Sequence, residues 1–242
     1  MEAELGLRER KKLRTRQLIA ETALRLFAER GFDSVPVAEV ARAAEVSEAT
    51  VFNYFPTKED LVYRGMEAFE AELLAAVRDR PAGEPITAAF GRFVLQPRGF
   101  LAAPDDETVR RLIAVAKMIP ASPALLARER EILDRYTASL AALIAADTAA
   151  APGDLRPWVV ARALIGTHQS LIQLVRRRLA EGPVDPADVA REVVARGRQA
   201  LEQLEQGLAG YGARPATAPS QRSETPVSSP WGQAAGPLLR GR

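Results

Sequence analysis

The sequence predicts an all-α protein, with an N-terminal three-helix helix-turn-helix domain followed by a larger C-terminal helical domain. Three observations predict this fold class. Apolar residues recur at spacings of three and four along the long segments, as in helices that bury one face. No convincing run alternates apolar and polar residues as a half-buried strand would. Proline and glycine fall between the helical segments, for example at Pro81-Ala82-Gly83 and Pro152-Gly153, where they interrupt helices.

The first predicted helix runs from about Leu7 to Arg30, and Gly31 is placed to end it as a C-cap. Its apolar stripe lies in the second half, from Ile19 to Phe27. The front end instead carries a basic cluster: Arg8, Arg10, Lys11, Lys12, Arg14 and Arg16. Such a cluster can engage the phosphates of a nucleic acid, and a solvated helix end is the alternative.

Two short helices joined by a tight turn are predicted next. The first has apolar residues at positions i, i+3, i+4 and i+7, namely Val37, Val40, Ala41 and Ala44. Ser47 can cap the second by accepting a hydrogen bond from a free backbone N–H, and Pro56 ends that helix. Two short helices around such a turn form a helix-turn-helix, whose second helix enters the major groove of DNA.

The outward face of the second short helix is the predicted DNA-reading surface. If Val51 and Phe55 face inward, Thr50 and Asn53 can hydrogen-bond to base edges. Lys58, near the start of the next helix, would place an ammonium where a phosphate is favoured, unless it is a solvated surface lysine. The predicted DNA contacts are Arg14, Thr15, Val37, Ser47, Glu48, Ala49, Thr50, Phe52, Asn53, Tyr54 and Lys58.

An ordered set of residues here resembles the DNA-binding domain of TetR-family transcriptional regulators. The resemblance covers roughly residues 10 to 65. Its most specific residues are Thr15-Arg16, Gly31-Phe32, Val40-Ala41, Ala49-Thr50 and the run Tyr54-Phe55-Pro56-Thr57-Lys58-Glu59-Asp60-Leu61. The sequence FNYFPTKEDL at residues 52–61 is also similar to that of actinobacterial members of the family, including the mycofactocin-associated subgroup, some of which respond to acyl-CoA.

Three positions depart from the family pattern. Glu45 stands where the family usually has glycine in the turn, so either the backbone avoids positive φ there or Glu45 bears strain. Pro36 replaces a threonine that caps the helix and contacts phosphate, although proline is acceptable at a helix start. Phe52 stands where tyrosine is frequent, which removes one hydroxyl contact to phosphate.

Composition excludes several classes of function. The chain of 242 residues has 47% hydrophobic residues, no cysteine, one histidine and a net charge of +2. It therefore can bury a core but cannot form disulfides, thiolate metal sites or multi-histidine sites, and we expect neither a cofactor nor a metal. No apolar run approaches the ~20 residues that span a bilayer, and the charged start lacks a signal-peptide core, so we expect a cytoplasmic protein without membrane contact.

The remaining chain is predicted to be helical as well. A fourth helix is expected over residues 57–78, and five more segments over 85–96, 105–118, 123–149, 155–180 and 185–208. We expect an arm and helix-turn-helix domain at 1–56, a connecting helix at 57–82 and an effector-binding and dimerisation domain at 83–209. Residues 210–242 are rich in Pro, Ser, Thr, Gly and Ala and are predicted to be disordered.

The last two predicted helices carry apolar stripes suited to contact with another helix pair. The residues are Val160, Leu164, Leu171, Val193, Gly197, Ala200 and Leu204. The family resemblance implies that this pair meets its copy in a four-helix dimer interface. The alternative is that both stripes pack within their own domain.

A second set of residues is a candidate effector site, because the family resemblance implies a small apolar or acyl-type effector among the C-terminal helices. The candidates are Phe90, Phe93, Phe100, Met118, Tyr136, Trp158, His168 and Gln169. The alternative for each is ordinary core packing. The Arg176-Arg177-Arg178 run is predicted to be a solvated helix end, with contact to an anionic ligand as the alternative.

The resemblance implies a ligand-responsive homodimeric regulator, a repressor in the first instance, that binds a palindromic operator on double-stranded DNA. An activator, or an adaptor without an effector, is the alternative. An enzyme has no support beyond the presence of His168 and of serine and acidic residues, because the chain lacks a nucleophile elbow, a phosphate loop or metal spacing.

Overall fold

The computed structural model describes residues 6–97, 106–182 and 184–207. Within them the regular structure is helical throughout: α1 (Leu7–Arg30), α2 (Val37–Ala43), α3 (Glu48–Tyr54), a short 3-10 helix (Glu59–Leu61), α4 (Met66–Arg78), α5 (Ile86–Val94), α6 (Asp106–Ala121), α7 (Pro123–Asp147), α8 (Arg156–Glu181) and α9 (Pro186–Glu205). The all-α prediction is confirmed. The predicted disordered tail and Phe100 lie outside the described residues.

The N-terminal core is built from α1, α2 and α3, as the apolar spacing predicts. Phe27, Val40, Val51 and Phe55 are buried in it, and the rings of Phe27 and Phe32 meet edge to face. Three residues of the α6–α7 region complete the same core: Met118, Ile119 and Leu125. The helix-turn-helix therefore shares its core with helices that lie more than fifty residues further along the chain.

Two further cores hold the C-terminal helices. One joins α4, α5, α7, α8 and α9 around the fully buried residues Phe90, Tyr136, Leu140 and Leu164. The other joins α6, α8 and α9 around Leu171, Val189 and Val193, among others. Long helices with apolar stripes on one side pack together in this way because each alone would leave its stripe in water.

The predicted continuous helix over residues 57–78 is wrong. The chain instead forms the 3-10 turn, leaves the helical path at Gly65 and starts again as α4 at Met66. Gly65 has φ of 84°, a left-handed conformation that glycine adopts without a Cβ clash. Apolar spacing alone predicted a longer helix because Leu61 and Phe69, eight residues apart, keep the helical spacing across the break.

Most of the apolar stripe that was predicted to meet a partner copy packs against helices of the same chain. Leu164, Leu171, Val193 and Gly197 are buried against the protein's own helices. Gly197 lies so close to Leu95 that a Cβ at this position would collide with the leucine side chain. Val160, Ala200 and Leu204 are half-buried. These four residues therefore pack within the chain itself, which was the alternative to contact with a partner copy.

Candidate nucleic-acid interface

The N-terminus of α3 is fixed by the cap that the sequence predicts. The Ser47 hydroxyl accepts a hydrogen bond from the Thr50 backbone N–H at 3.1 Å, and the two hydroxyl oxygens lie 2.8 Å apart. Val51 and Phe55 are each only 1% exposed and anchor the inner side of the helix. The cap and these two anchors set both the start and the rotation of α3, which decides the side chains that face solvent.

The outward face of α3 presents most of the predicted reading residues. Glu48, Ala49, Phe52 and Asn53 are exposed, and Ser47 is exposed beside them. The large exposed ring of Phe52 is available for thymine methyl groups, and Asn53 offers the amide pair that suits adenine. Thr50 and Tyr54 are half-buried at the edge of this face, and the Thr50 hydroxyl already contacts the cap.

The turn between α2 and α3 is a Schellman motif with glutamate at the position that usually holds glycine. The Val46 N–H bonds to the Ala41 carbonyl at 2.9 Å, and the Glu45 N–H bonds to the Arg42 carbonyl at 3.2 Å. Glu45 has φ of 55°, so of the two alternatives open at that position, strain is the one that applies. An L-residue with a Cβ is disfavoured in this conformation by roughly 1–2 kcal/mol.

Glu45→Gly should therefore raise the free energy of unfolding, by up to about 1 kcal/mol once the extra freedom of glycine in the unfolded chain is subtracted. Urea unfolding followed by circular dichroism measures it. Glu21→Gly, at an exposed position inside α1, is the matched control and should lose about 1 kcal/mol. If both variants lose stability equally, Glu45 bears no strain.

The basic front of α1 lies free on the surface. Arg8, Arg10, Lys11, Lys12, Arg14 and Arg16 are all exposed. None of them forms an ion pair within the part of the chain that the structure describes; the Arg16 guanidinium lies 5.4 Å from the Phe55 ring centre, one residue past the end of α3. Thr15 is half-buried, and its hydroxyl donates to the Lys11 carbonyl of its own helix at 3.0 Å. The cluster is thus a set of unneutralised cations next to the reading helix.

At the start of α2, Val37 is half-buried against the N-terminal core, and Pro36 occupies the cap position without a side-chain hydrogen bond. Proline supplies a suitable φ of −74° there but no hydroxyl. This end of α2 therefore has free backbone N–H groups but no side-chain donor at the cap.

Lys58 is not the solvated surface lysine that was its alternative. Its ammonium donates a hydrogen bond to the Phe32 carbonyl at 2.6 Å and lies 4.3 Å from the Phe32 ring centre. Burial lowers the pKa of Lys58, against the opposing effects of Asp33 and Glu59. A lysine ammonium has three donors, so two N–H groups remain for a phosphate while the third holds the ammonium in place.

The candidate effector residues do not form one group. Phe69, which the sequence analysis missed, stacks on His168 with ring centres 5.0 Å apart and also contacts Phe93 and Tyr136. Phe90 lies in the same core. No sequence signal singled out Phe69, because it was one apolar position in a helix expected to connect domains.

The other candidates lie elsewhere. Met118 belongs to the N-terminal core, whereas Trp158 is 50% exposed and Gln169 also faces solvent. Burial lowers the pKa of His168 to about 4, so its imidazole is neutral at pH 7. The aromatic group around Phe69 is consequently an apolar cluster with one neutral, polar edge.

The Arg176-Arg177-Arg178 run is only partly the solvated end that was predicted. Arg177 is exposed, and Arg178 pairs with Glu181 and Glu192 at 3.1 Å. Arg176 points inward and forms two hydrogen-bonded contacts with the buried carboxylate of Glu129, at 2.9 and 2.8 Å. Tyr63 lies beside this pair, and burial together with the Glu129 charge raises the pKa of its hydroxyl.

No group of three or more His, Cys, Asp or Glu side chains suited to a metal ion occurs among residues 6–97, 106–182 and 184–207. Over the same ranges, no helix is long and apolar enough to cross a lipid bilayer. The chemistry available at the surface of α1 and α3 is therefore hydrogen bonding, apolar contact and positive charge. A capped, solvent-facing second helix beside a cationic helix defines a DNA-binding helix-turn-helix protein.

Comparison with known proteins agrees with this class. Residues 19–75 match the tetR family of bacterial regulatory proteins. The HTH-type transcriptional regulator TcmR of Streptomyces glaucescens is 33% identical over 147 residues, which cover 58% of this chain and 63% of TcmR, less than two thirds of its length. MftR of Mycobacterium tuberculosis, described as a candidate mycofactocin biosynthesis transcriptional regulator, is 24% identical over 80% of this chain and 96% of its own.

Among solved structures, NalD, the secondary repressor of the MexAB-OprM multidrug efflux pump in Pseudomonas aeruginosa, shares the fold. It has a TM-score of 0.51 and 19% identity, over 77% of this chain and 96% of NalD. Residues 19–75 of this chain therefore form a DNA-binding domain of the tetR family. The distant match to MftR gives only weak support for the mycofactocin-regulator-like subgroup.

Proposed function

We propose that this chain is a cytoplasmic, homodimeric repressor that binds a palindromic operator and releases it in response to a small apolar or acyl-type effector. The observation that carries the proposal is the geometry of α3: its N-terminus is capped by Ser47, its inner side is held by Val51 and Phe55, and its outer side is exposed beside unpaired cations. That arrangement presents Asn53 and Phe52 to a major groove without further rearrangement.

The predicted phosphate contacts belong to this proposal. Lys58→Ala should weaken binding to every DNA sequence and reduce the slope of log affinity against log salt concentration by about one unit. Fluorescence anisotropy with a labelled duplex at several salt concentrations measures the slope. Arg25→Ala, which removes a cation that pairs with Glu29 on the exposed side of α1, is the control. An unchanged slope for Lys58→Ala would remove Lys58 from the contacts.

The dimer surface is the second part of the proposal. The outer face of α8 carries Val159, Ala163, Gly166 and Ser170 at helical spacing, and the space beside Gly166 is open within the protomer. Val159 is 65% exposed, next to the exposed Leu155 and Trp158. We place the contact with the partner copy on this face, because the residues of the originally predicted stripe are mostly buried.

Val159→Arg should convert the dimer into a monomer, because it places a charge in an apolar contact between two copies of α8. Sedimentation velocity gives the mass in solution. Leu18→Arg, at an exposed leucine of α1, is the control and should leave the mass unchanged. A Val159→Arg protein that remains dimeric would place the interface elsewhere.

The domain limits 1–56, 57–82 and 83–209 are part of this proposal.

The effector is proposed to act on the aromatic cluster formed by Phe69, Phe93, Tyr136 and His168. Phe69 and Tyr136 join α4 to α7, and the Tyr136 hydroxyl donates to the Met66 carbonyl at the start of α4. A ligand that separates these rings would bind best to a different arrangement of α4, and its effect on DNA binding is limited by its difference in affinity for the two arrangements.

A further inference from the structure

One carboxylate, Asp60 in the 3-10 helix that follows α3, joins this part of the chain to the C-terminal helices. One oxygen of Asp60 accepts a hydrogen bond from the Thr57 backbone N–H at 3.0 Å, and the Asp60 N–H donates to the Thr57 hydroxyl at 3.3 Å. The other oxygen accepts two hydrogen bonds from Arg128 of α7, from Nε at 3.0 Å and from Nη2 at 2.8 Å. Each oxygen of Asp60 thus serves a different part of the protein.

Two further hydrogen bonds join the residues near Asp60 and the end of α1 to the junction of α6 and α7. The Tyr63 hydroxyl donates to the Leu125 carbonyl at 3.0 Å, and the Ser122 hydroxyl donates to Asp33 at 3.2 Å. Leu125 is itself fully buried in the N-terminal core with Met118. We call residues 118–128 the α6–α7 corner. This corner packs into the N-terminal core, and its side-chain hydrogen bonds reach Asp33, Asp60 and Tyr63, which flank the helix-turn-helix.

The chain connection through α4 is less direct. Between the helix-turn-helix and α4 the helical path is broken at Gly65, and the buried residues of α4, Leu73 and Val77, belong to the C-terminal core. Coupling between two sites can run through packed side chains and hydrogen-bond networks as well as along a rigid helix. The α6–α7 corner crosses that break by side-chain contacts, so it is better placed than α4 to fix the angle of α3.

We propose that Arg128 is a positioning residue for DNA recognition: through Asp60 it sets the orientation of the helix-turn-helix relative to the dimerising helices, and so the separation of the two α3 helices in the dimer. The inference rests on the proposed function and specifies which contact regulates it. Arg128 and Asp60 are 27% and 17% exposed, so the pair is partly shielded from solvent, and Arg128 also donates a hydrogen bond to Glu131 at 2.9 Å. An effector that shifts α7 would then act on the reading helices through this contact.

The test uses the full-length dimer and a series of operators in which the distance between half-sites is changed one base pair at a time. The wild-type protein should bind one spacing much more tightly than its neighbours. Arg128→Met keeps the aliphatic stem and removes the donors, so the affinity at the preferred spacing should fall about tenfold while the penalty at other spacings becomes smaller. A merely structural role would lower the affinity without changing the shape of this profile.

Four further variants complete the experiment. Arg130→Met is the matched control, because Arg130 is exposed and, among the residues that the structure describes, bonds only to the Leu126 carbonyl of its own helix. Asp60→Asn retains an acceptor for the Thr57 N–H but loses the charge that holds Arg128, so it should reproduce the Arg128→Met profile, and the double variant should be no weaker than either single variant. Arg128→Lys keeps the charge without the two-donor geometry and should give an intermediate profile.

A wild-type spacing profile in Arg128→Met, or the same change in Arg130→Met, would overturn the inference while leaving the proposed function intact. If the wild-type protein binds no duplex, the proposed function fails and this inference fails with it. If Arg128→Met does not fold, the spacing profiles of Asp60→Asn and Arg128→Lys test the inference instead. A flattened profile supports the inference, and a wild-type profile contradicts it.

Discussion

Arg176→Met should destabilise the protein by about 3–5 kcal/mol, the largest effect expected of any single substitution considered for this chain. The Arg176 and Glu129 side chains are only 13% and 8% exposed, and they hold each other through contacts of 2.8 and 2.9 Å. Removal of the guanidinium leaves the Glu129 carboxylate buried without its counter-charge, because Tyr63 beside it is a neutral group. Chemical denaturation measures the change.

The double variant Arg176→Met with Glu129→Leu separates loss of the pair from loss of packing. A buried ion pair that is replaced by apolar groups of similar volume is often neutral in stability, so the double variant should regain most of the loss. Arg162→Met, which breaks the exposed pair with Asp134, should change stability by less than about 1 kcal/mol. An Arg176→Met protein as stable as Arg162→Met would show that the Glu129 carboxylate is solvated.

Acidification should produce the second large effect, through His168. Its pKa is lowered from 6.5 to about 4 by burial, so between these pH values the unfolded chain binds a proton that the folded chain does not. Stability therefore rises with pH across this window, is complete above pH 6.5 and is lost as the pH falls towards 4. The loss from this one group should reach up to about 3 kcal/mol.

His168→Phe should flatten this part of the pH profile, because phenylalanine keeps the stacking on Phe69 and cannot take up a proton. Unfolding free energies at intervals between pH 7 and pH 4.5 give the comparison. Carboxylates contribute to acid unfolding in both proteins, so the difference between the two profiles carries the result. Parallel profiles would mean that His168 titrates normally in the folded protein.

Local features of the reading helix could be predicted from the sequence, because each depends on neighbouring residues. The Ser47 cap and the inward position of Val51 and Phe55 follow from spacing and from the hydrogen-bonding capacity of serine, and the structure confirms them. The strain at Glu45 was one of two alternatives, and only the backbone angle distinguishes them.

Features that depend on distant parts of the chain could not be predicted. The inward ammonium of Lys58 depends on the Phe32 carbonyl, 26 residues away, and the Asp60–Arg128 contact spans 68 residues. The apolar stripe of α8 is the same in the sequence whether it meets a partner copy or Leu95 and Val193 of its own chain, since burial requires only an apolar neighbour.

Selection of bound duplexes from a random pool by the full-length protein tests most directly whether two copies of α3 read DNA together. We expect an inverted repeat whose half-site centres lie about 34–36 Å apart or at a multiple of that distance, and in which Asn53→Ala relaxes one position in each half. Enrichment of no sequence, or of a single site without two-fold symmetry, would contradict the account.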